Sequence, residues 1–238
     1  MIGFFLERMY GGRGRKLAQR LRRLTRPARL GTLRRTRPLS NYWGSDRGTP
    51  VDRYYIEAFL DRCRADLRGR VLEVKEPLYT RRLGSGVTRS DVLDIDPANP
   101  QATVVADLAA ADQIPEGTYD CFILTQTLQL VYDVRAAISH ACRILRPGGV
   151  LLVTVPAASR VVPGTETYGD YWRFTPASCR KLFGEVFGEG NVTVEAHGNV
   201  LSTIAFLTGM AREELSRREL DDADESLPLL LCVRAVKP

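Results

Sequence analysis

Residues 119–155 read YDCFILTQTLQLVYDVRAAISHACRILRPGGVLLVTV. Each end of this stretch, 119–124 and 150–155, is a mostly apolar run of strand length. Between them, 134–145 has the apolar spacing of a helix and is closed by a Pro-Gly-Gly turn at 147–149. Two strands that are apolar on both faces and separated by a helix predict a parallel sheet with helices covering both sides.

The alternation of strand and helix continues on both sides of this stretch. Upstream, Thr49 and Pro50 have the residue types of a cap and first turn for a helix that begins near Val51. Three further strands are predicted before residue 119, at 70–74, 91–95 and 102–105. Downstream follow a helix, a strand, a helix and a final strand, at 176–187, 192–196, 200–215 and 229–236. The pattern predicts one α/β domain.

Charge is distributed unevenly along the chain. Residues 1–38 carry 12 Lys/Arg and one acidic residue, a net charge of +11, whereas the remainder carries 22 basic and 27 acidic residues, a net charge of −5. The basic segment, with leucines at helical intervals in 15–24, suits contact with anionic lipid, RNA or an acidic protein, and equally a solvated tail or a helix docked on its own domain. The acidic body makes nucleic acid an unexpected substrate.

We expect three regions: a basic arm at 1–38, a linker at 39–50 and the α/β domain at 51–238. The aromatic and glycine residues of 41–48 suit a lid over an occupied pocket, or an anchor for the arm. The apolar start of the chain is interrupted by Glu7 before it could form a signal or membrane-spanning segment, which favours a cytoplasmic protein. Five scattered cysteines without a CxxC pair favour reduced thiols over disulfides or zinc.

Several segments together resemble the class I, Rossmann-like methyltransferases that use S-adenosylmethionine, over about residues 50–238. The segments are Val71-Leu72-Glu73-Val74, Asp94, Ala106-Asp107-Leu108, Tyr119 to Leu124, and Leu145-Arg146-Pro147-Gly148-Gly149-Val150-Leu151-Leu152. The resemblance implies a doubly wound, mostly parallel seven-stranded sheet with helices on both faces and an antiparallel last strand. The run Asp170-Tyr171-Trp172-Arg173-Phe174-Thr175 also looks like bacterial methyltransferases that act on sugars, glycans or secondary metabolites.

The resemblance also implies which residues hold S-adenosylmethionine. Asp94, with Asp96 as the second choice, would accept hydrogen bonds from the ribose hydroxyls. Asp107 would meet the adenine amino group, and Leu108 would contribute its backbone amide. The two residues after the fourth strand, Thr125 and Gln126, would line the floor near the sulfonium. Each polar residue also has a structural alternative, since Asp and Thr commonly cap turns and helices.

One departure from the family pattern concerns the glycine-rich loop expected after Glu73. Glycine lets the backbone approach the methionine part of the cofactor closely, but this chain has Lys75-Glu76-Pro77 at those positions. In one hypothesis the loop is rerouted: Glu73 takes the cofactor's ammonium, and a cation among Lys75, Arg81, Arg82 and Arg53 takes its carboxylate. In the other, cofactor binding is weakened or lost.

Candidates for work on the methyl acceptor lie further along the chain. His197, at the end of a predicted strand, is the preferred general base. Asp170 and Arg173, with the aromatic residues between them, would form a substrate wall, or equally a buried helix entry. Methyl transfer is an in-line displacement that needs alignment, and the sequence shows no metal-ligand cluster.

Three functions remain open from the sequence. The first is methyl transfer from S-adenosylmethionine, most simply O-methylation, to a small molecule, sugar or secondary metabolite. The second is a methyltransferase fold used for a cyclisation or rearrangement. The third is a catalytically silent partner subunit recruited through the basic arm.

Overall fold

The computed structural model describes residues 19–21, 24–25, 31–161 and 169–238. The chain divides into two units, Met1–Arg37 and Pro38–Pro238. Within the first unit, Gly31–Leu33 form a short 3-10 helix. Most of the leucine-and-arginine stretch at 15–24 lies outside the described residues.

The second unit contains seven described strands and six described α-helices. The strands are β1 Gly69–Val74, β2 Val87–Asp94, β3 Val104–Val105, β4 Tyr119–Thr125, β5 Leu145–Pro156, β6 Val192–His197 and β7 Leu230–Val236. The helices are α1 Val51–Arg62, α2 Leu78–Leu83, α3 Val134–Ile144, α4 Pro176–Phe187, α5 Val200–Thr208 and α6 Arg217–Asp221. The seven strands form one sheet in the order β3-β2-β1-β4-β5-β7-β6. Only β7 runs antiparallel to its neighbours, which confirms the predicted fold class.

The sheet is covered on both faces because its central strands bury both sets of side chains. In β4, Phe122 and Leu124 pack in a cluster with α3 and α4, whereas Cys121 and Ile123 pack in a cluster with α1, α2 and α5. All four side chains are fully buried. Burial of this kind contributes about 25 cal/mol per Å² of apolar surface removed from water, so these two clusters are the main stabilising feature of the domain.

The chain order reverses direction between β1 and β4. From β1 the sheet grows outward through β2 to β3, and from β4 it grows the other way to β5. Loops that leave adjacent strands in opposite directions open a crevice at the carboxyl ends of those strands. The candidate site is therefore expected between the tips of β1 and β4.

Helix α1 has its first turn at this same carboxyl edge. Tyr55 stacks on His197, the last residue of β6, with ring centroids 5.9 Å apart. Beyond the other end of the helix, Asp66 forms a salt bridge with Arg234, which pairs in register with Thr193 at the start of β6. The helix thus runs opposite to the parallel strands, and the residues at its start lie near the strand tips.

Two helix boundaries differ from the prediction. Thr49 does not cap α1: the cap position is Pro50, which gives no side-chain cap hydrogen bond and forms an isolated β-bridge with Ala211, while the N–H of Thr49 donates to Glu213. The helix predicted over 200–215 ends at Thr208, because Gly209 takes a left-handed conformation, φ +76°, and packs against Ser40. At both boundaries a residue of 39–50 contacts the segment 208–214.

Residues 39–50 pack on the domain. The N–H of Leu39 donates to the carbonyl of Thr208 at 2.6 Å, and Arg47 forms a salt bridge with Glu214 at 2.6 Å. These contacts hold residues 39–50 on the domain, and both roles of the segment, as a lid and as an anchor for the arm, stay predictions. No described helix is long and apolar enough to cross a membrane.

Candidate functional site

Four adjacent strand tips bring polar residues to one edge of the sheet. Asp107 follows β3, Asp94 ends β2, Lys75 follows β1 and Gln126 follows β4. With neighbouring strands about 4.8 Å apart, the four tips span about 14 Å. The order of the sheet therefore brings to one edge four residues for which the family resemblance implies contact with the cofactor.

Asp94 is the better placed of the two predicted ribose ligands. Its side chain is half-buried; Oδ1 accepts a hydrogen bond from the N–H of Asp96 at 3.1 Å, and Oδ2 accepts one from Asn99 Nδ2 at 2.6 Å. A carboxylate has about four lone-pair positions, so two remain for a ligand. Asp96 is exposed and accepts from the N–H of Ala98 within its own turn. The Asn99 amide also donates to the carbonyl of Lys75, which ties the tips of β1 and β2 together.

Asp107 and Leu108 form the start of a 3-10 turn after β3. The Asp107 side chain is exposed and accepts from the N–H of Ala109 at 2.9 Å, so it caps the turn Leu108–Ala110. Leu108 is buried beneath it. The capping alternative is thus present in the structure, and the adenine contact stays a prediction.

The two residues that flank the crevice have an unusual backbone conformation. Lys75 has φ +69° and Gln126 has φ +48°, the left-handed region that costs a residue with a Cβ about 1–2 kcal/mol. Each is held there by a backbone hydrogen bond to the neighbouring strand, Lys75 N to the carbonyl of Leu93 and Gln126 N to the carbonyl of Thr154. Lys75 therefore adopts the left-handed conformation usually reserved for glycine without being glycine. Strained backbone of this kind clusters at functional sites.

Unpaired polar atoms lie at the tips of β4 and β5. Among the described residues, Gln126 Nε2, Gln129 Oε1 and Thr154 Oγ1 are buried and have no hydrogen-bond partner. A buried polar group without a partner costs about 1–3 kcal/mol. Such groups are expected where a ligand supplies the missing partners, so this part of the crevice fits a polar ligand.

Glu73 does not have the role predicted for it. Its side chain is 2% exposed, and its carboxylate accepts hydrogen bonds from Tyr79 N at 2.9 Å, Thr80 N at 2.8 Å and Thr80 Oγ1 at 2.6 Å. Burial raises its pKa above the usual value. Because the side chain is buried and the start of α2 takes three of its about four lone-pair positions, at most one position is left for a cofactor ammonium. Glu73 instead fixes α2 to the end of β1.

Asp52 is a candidate residue that the sequence analysis missed. It lies in the first turn of α1 and is 7% exposed, and its Oδ1 is buried without a hydrogen-bond partner in the described part of the chain. Burial raises its pKa, against the opposing charge of Arg53. Burial raises the pKa of the Tyr79 phenol in α2; the charge of Arg53 opposes this increase and the charge of Asp52 adds to it. In the sequence, Asp52 looked only like an acidic residue favoured by a helix N-terminus.

Asp170 and Arg173 bind each other. Arg173 Nη1 and Nη2 contact Asp170 Oδ1 and Oδ2 at 2.6 and 2.9 Å, and Arg173 also donates to the carbonyls of Ser159 and Arg160. The Asp170 side chain is 1% exposed. Both side chains are thereby occupied in holding the chain after β5. Their predicted contact with substrate stays a prediction.

Trp172 joins the same segment to the loop after β4. Its Nε1 donates to the carbonyl of Val131 at 3.0 Å, and its backbone N–H and that of Tyr171 donate to the carbonyl of Gln129. Residues 169–174 therefore lie against the loop that carries Gln126. The segment supports one wall of the crevice.

His197 lies away from the other candidates. It ends β6, the edge strand, which is three strands or about 14 Å from β4. Its ring stacks on Tyr55, Nε2 lies 3.1 Å from Glu195 Oε2, and burial lowers its pKa. It lines a separate cavity of about 270 Å³ between α1 and α6. The structure does not bring His197 together with Asp94 and Gln126, and its role as general base stays a prediction.

Comparison with known proteins was made by family and by structure. The sequence profile of the methyltransferase domain family matches residues 52–187. No curated protein matched the chain.

Solved structures with the same fold include three methyltransferases. A S-adenosylmethionine-dependent methyltransferase from Archaeoglobus fulgidus is 13% identical, with a TM-score of 0.52 over 78% of this chain and 94% of that one. One from Mesorhizobium loti is 17% identical, with a TM-score of 0.50 over 79% and 98%. Phosphoethanolamine N-methyltransferase 2 from Haemonchus contortus, in complex with S-adenosyl-L-methionine, is 15% identical, with a TM-score of 0.53 over 78% and 52%. At these identities the likeness concerns the fold.

Proposed function

Since this chain belongs to the methyltransferase domain family, we propose that it transfers a methyl group from S-adenosylmethionine to a hydroxyl of a small molecule or sugar. The observation that carries the proposal is the edge of the sheet where the strand order reverses. There Asp94 presents free lone pairs, and the buried amide of Gln126 has no partner among the described residues. Ligands of open α/β sheets bind at this position.

The residues around the crevice suit the separate parts of the cofactor. Asp94 would bind the ribose hydroxyls, and Asp107 with the backbone of Leu108 would bind the adenine. In place of Glu73, the buried carboxylate of Asp52 would bind the ammonium, and Lys75 is the nearest cation in sequence for the carboxylate. A charged group of the ligand would also relieve the cost of burying Asp52 without a partner.

The cofactor supplies an electrophilic methyl group when it is bound. The protein's own contribution is alignment, because in-line displacement gains most from holding the two reactants in the correct geometry. Gln126 would orient an acceptor near the tips of β4 and β5, and the segment 169–174 would keep water from that side. A general base is needed only for a hydroxyl acceptor. His197 could serve only after moving towards β4.

One feature favours the alternative of a different reaction or a silent subunit. Glu73 is buried with three of its about four lone-pair positions taken by α2, and Pro77 is buried in the loop after β1. This loop differs from the glycine-rich form. If the methionine end of the cofactor has no binding site, the fold serves another purpose.

Binding measurements separate these functions. We expect S-adenosylhomocysteine to bind the native protein in calorimetry, and Asp94→Ala to weaken that binding about 10–100-fold, since hydrogen bonds to a charged group contribute about 1.5–3 kcal/mol. Asp96→Ala is the matched control and should leave the affinity unchanged. Absence of binding to the native protein would support the silent subunit. Equal affinity of the Asp94→Ala variant would remove Asp94 from the site.

A further inference from the structure

Arg160 is a charged residue that the proposed function has not used. It follows Pro156, the last residue of β5, by four positions and so leaves the same edge of the sheet as Gln126. Its Nη1 donates to the carbonyl of Ser40 at 2.9 Å, and its own carbonyl accepts from Arg173 Nη2 at 2.7 Å. The guanidinium of Arg160 is therefore held by Ser40, and its backbone carbonyl by Arg173.

The guanidinium of Arg160 also stacks on an aromatic ring. Its central carbon lies 4.6 Å from the ring centroid of Trp43, which itself takes φ +55°. Bulky residues rarely adopt this left-handed conformation, and strained backbone tends to persist at ligand sites. The linker residues 39–50 thus hold the guanidinium at a set position and orientation.

Two donors of the same guanidinium have no partner. Within the described residues, Arg160 Nε and Nη2 are buried and make no hydrogen bond. Burial lowers the pKa of Arg160, and no carboxylate among the described residues offsets that effect. By contrast, Arg173 and Arg234 each hold a carboxylate with two nitrogens. The unpaired pair on Arg160 is costly to the free protein.

Nε and Nη2 form one edge of the guanidinium plane. This edge presents two parallel N–H groups whose spacing matches the two oxygens of a carboxylate or phosphate. A purely structural arginine would bind Ser40 through Nη1 and stack its face on Trp43. That role does not explain why the Nε–Nη2 edge is buried without a partner. A ligand with an oxyanion would complete it.

We propose that the Nε–Nη2 edge of Arg160 binds a carboxylate or phosphate group of the methyl acceptor, beside the crevice at the tips of β4 and β5. The acceptor part of this inference rests on the proposed function, whereas the oxyanion subsite stands on the geometry of Arg160 alone. Asp170 and Arg173 are then positioning residues, because they hold the backbone that carries Arg160.

Trp43 supplies a direct readout of the subsite. The chain has two tryptophans, Trp43 and Trp172. With both replaced by 5-fluorotryptophan, a fluorine NMR spectrum has one resonance for each, and Trp43→Phe assigns them. The full chain is titrated with sodium phosphate or sodium acetate up to about 50 mM, the range suited to a millimolar dissociation constant, and with sodium chloride at equal ionic strength.

We expect phosphate or acetate to shift the Trp43 resonance saturably, and chloride to leave it in place. The anion that saturates at lower concentration identifies the preferred oxyanion. Arg160→Gln should abolish the shift, and Arg160→Lys should weaken binding about tenfold, because lysine keeps the charge but lacks the paired donors. Arg64 is an exposed arginine paired with Asp61, so Arg64→Gln is the control with an equal change of charge. In this variant the Trp43 resonance should shift as it does in the native protein.

Absence of a saturable shift, or an equal shift in a folded Arg160→Gln or Arg160→Lys variant, would overturn the proposal. Calorimetry with S-adenosylhomocysteine tests the proposed function separately. If the Trp43 resonance responds but S-adenosylhomocysteine does not bind, the subsite exists and the methyl-transfer proposal fails. If both bind, Arg160→Gln should leave the affinity for S-adenosylhomocysteine unchanged.

Discussion

Asp52 is buried at the candidate site in a state that costs the free protein stability. Its Oδ1 has no partner among the described residues, and burial raises its pKa. A carboxyl whose pKa is higher in the folded than in the unfolded state favours the protonated form on folding. The native protein should therefore lose stability as the pH rises through the unfolded value, about 3.9, towards the folded one.

Asp52→Asn removes this penalty. We expect the variant to be more stable than the native protein at pH 7 by about 1 kcal/mol, and the difference to shrink as the pH falls towards about 4. Urea unfolding at both pH values measures the effect. A variant that is less stable at pH 7 would show that Asp52 has a partner in solution.

The same substitution, Asp52→Asn, should weaken binding of the cofactor. If Asp52 binds the ammonium, S-adenosylhomocysteine should bind Asp52→Asn about tenfold more weakly, whereas 5′-methylthioadenosine, which has no amino-acid part, should bind both proteins equally. Stability and binding then change in opposite directions, as expected when a site residue is retained for function. Equal losses for the two ligands would place Asp52 outside the ammonium site.

The backbone of Lys75 is strained, with φ +69°. The left-handed conformation costs about 1–2 kcal/mol, and glycine loses about 0.5–1 kcal/mol more chain entropy on folding. Lys75→Gly should therefore raise the free energy of unfolding by about 0.5–1 kcal/mol in urea unfolding. Lys75→Ala keeps the Cβ and is the control that should show no gain. A loss of stability in Lys75→Gly would mean that the Lys75 side chain itself stabilises the loop.

At the scale of the element, α2 depends on a single carboxylate. It has six residues, too few to be stable alone, and Glu73 binds the N–H groups of Tyr79 and Thr80 at its start. A carboxylate at the N-terminus of a helix satisfies free N–H groups and complements the helix dipole. The loss of the glycine-rich loop and the role of Glu73 are thus connected: α2 stands where that loop is expected, and the N–H groups at its start bind the Glu73 carboxylate.

Glu73→Ala should remove the hydrogen bonds that hold the start of α2. We expect a loss of about 2–4 kcal/mol in urea unfolding, since buried donors lose a charged acceptor, and about half that loss for Glu73→Gln, which keeps one acceptor oxygen. Hydrogen exchange should accelerate at the amides of Tyr79 and Thr80 in Glu73→Ala. Unchanged exchange there would show that packing alone holds α2 in place.

At the scale of the whole molecule, the boundary between the two units of the chain coincides with the boundary between its basic and acidic parts. Every described strand and both apolar clusters belong to the unit Pro38–Pro238. The net charge of +11 belongs to residues 1–38. Cations near an anionic bilayer contribute about 1 kcal/mol each, and salt screens the attraction.

We therefore expect a chain that begins at Pro38 to unfold in one cooperative transition. In sedimentation with vesicles rich in phosphatidylserine, the full chain should bind at low salt and be released at high salt, whereas the truncated chain should stay in solution. Vesicle binding that survives the truncation would place the membrane contact on the domain.

Local patterns in the sequence determined the order of elements and hence the fold class. The apolar runs at 119–124 and 150–155, with a helix between them, are sufficient because strand and helix periodicity depend on near neighbours in the chain. The same patterns placed Asp94, Asp107 and Gln126 at strand ends. Parallel strands bring such ends to one edge of the sheet, so the common location of these residues could be predicted, and their binding roles stay predictions.

Only the tertiary structure decided which side chains are free to bind a ligand. Glu73 is occupied by α2, Asp52 Oδ1 is buried without a described partner, Arg160 has an unpaired edge and His197 lies on an edge strand. Each outcome depends on hydrogen-bond partners that are distant in the chain and adjacent in space. Residue type and spacing determine what a side chain can bind, but its neighbours in the folded protein determine what remains for a ligand.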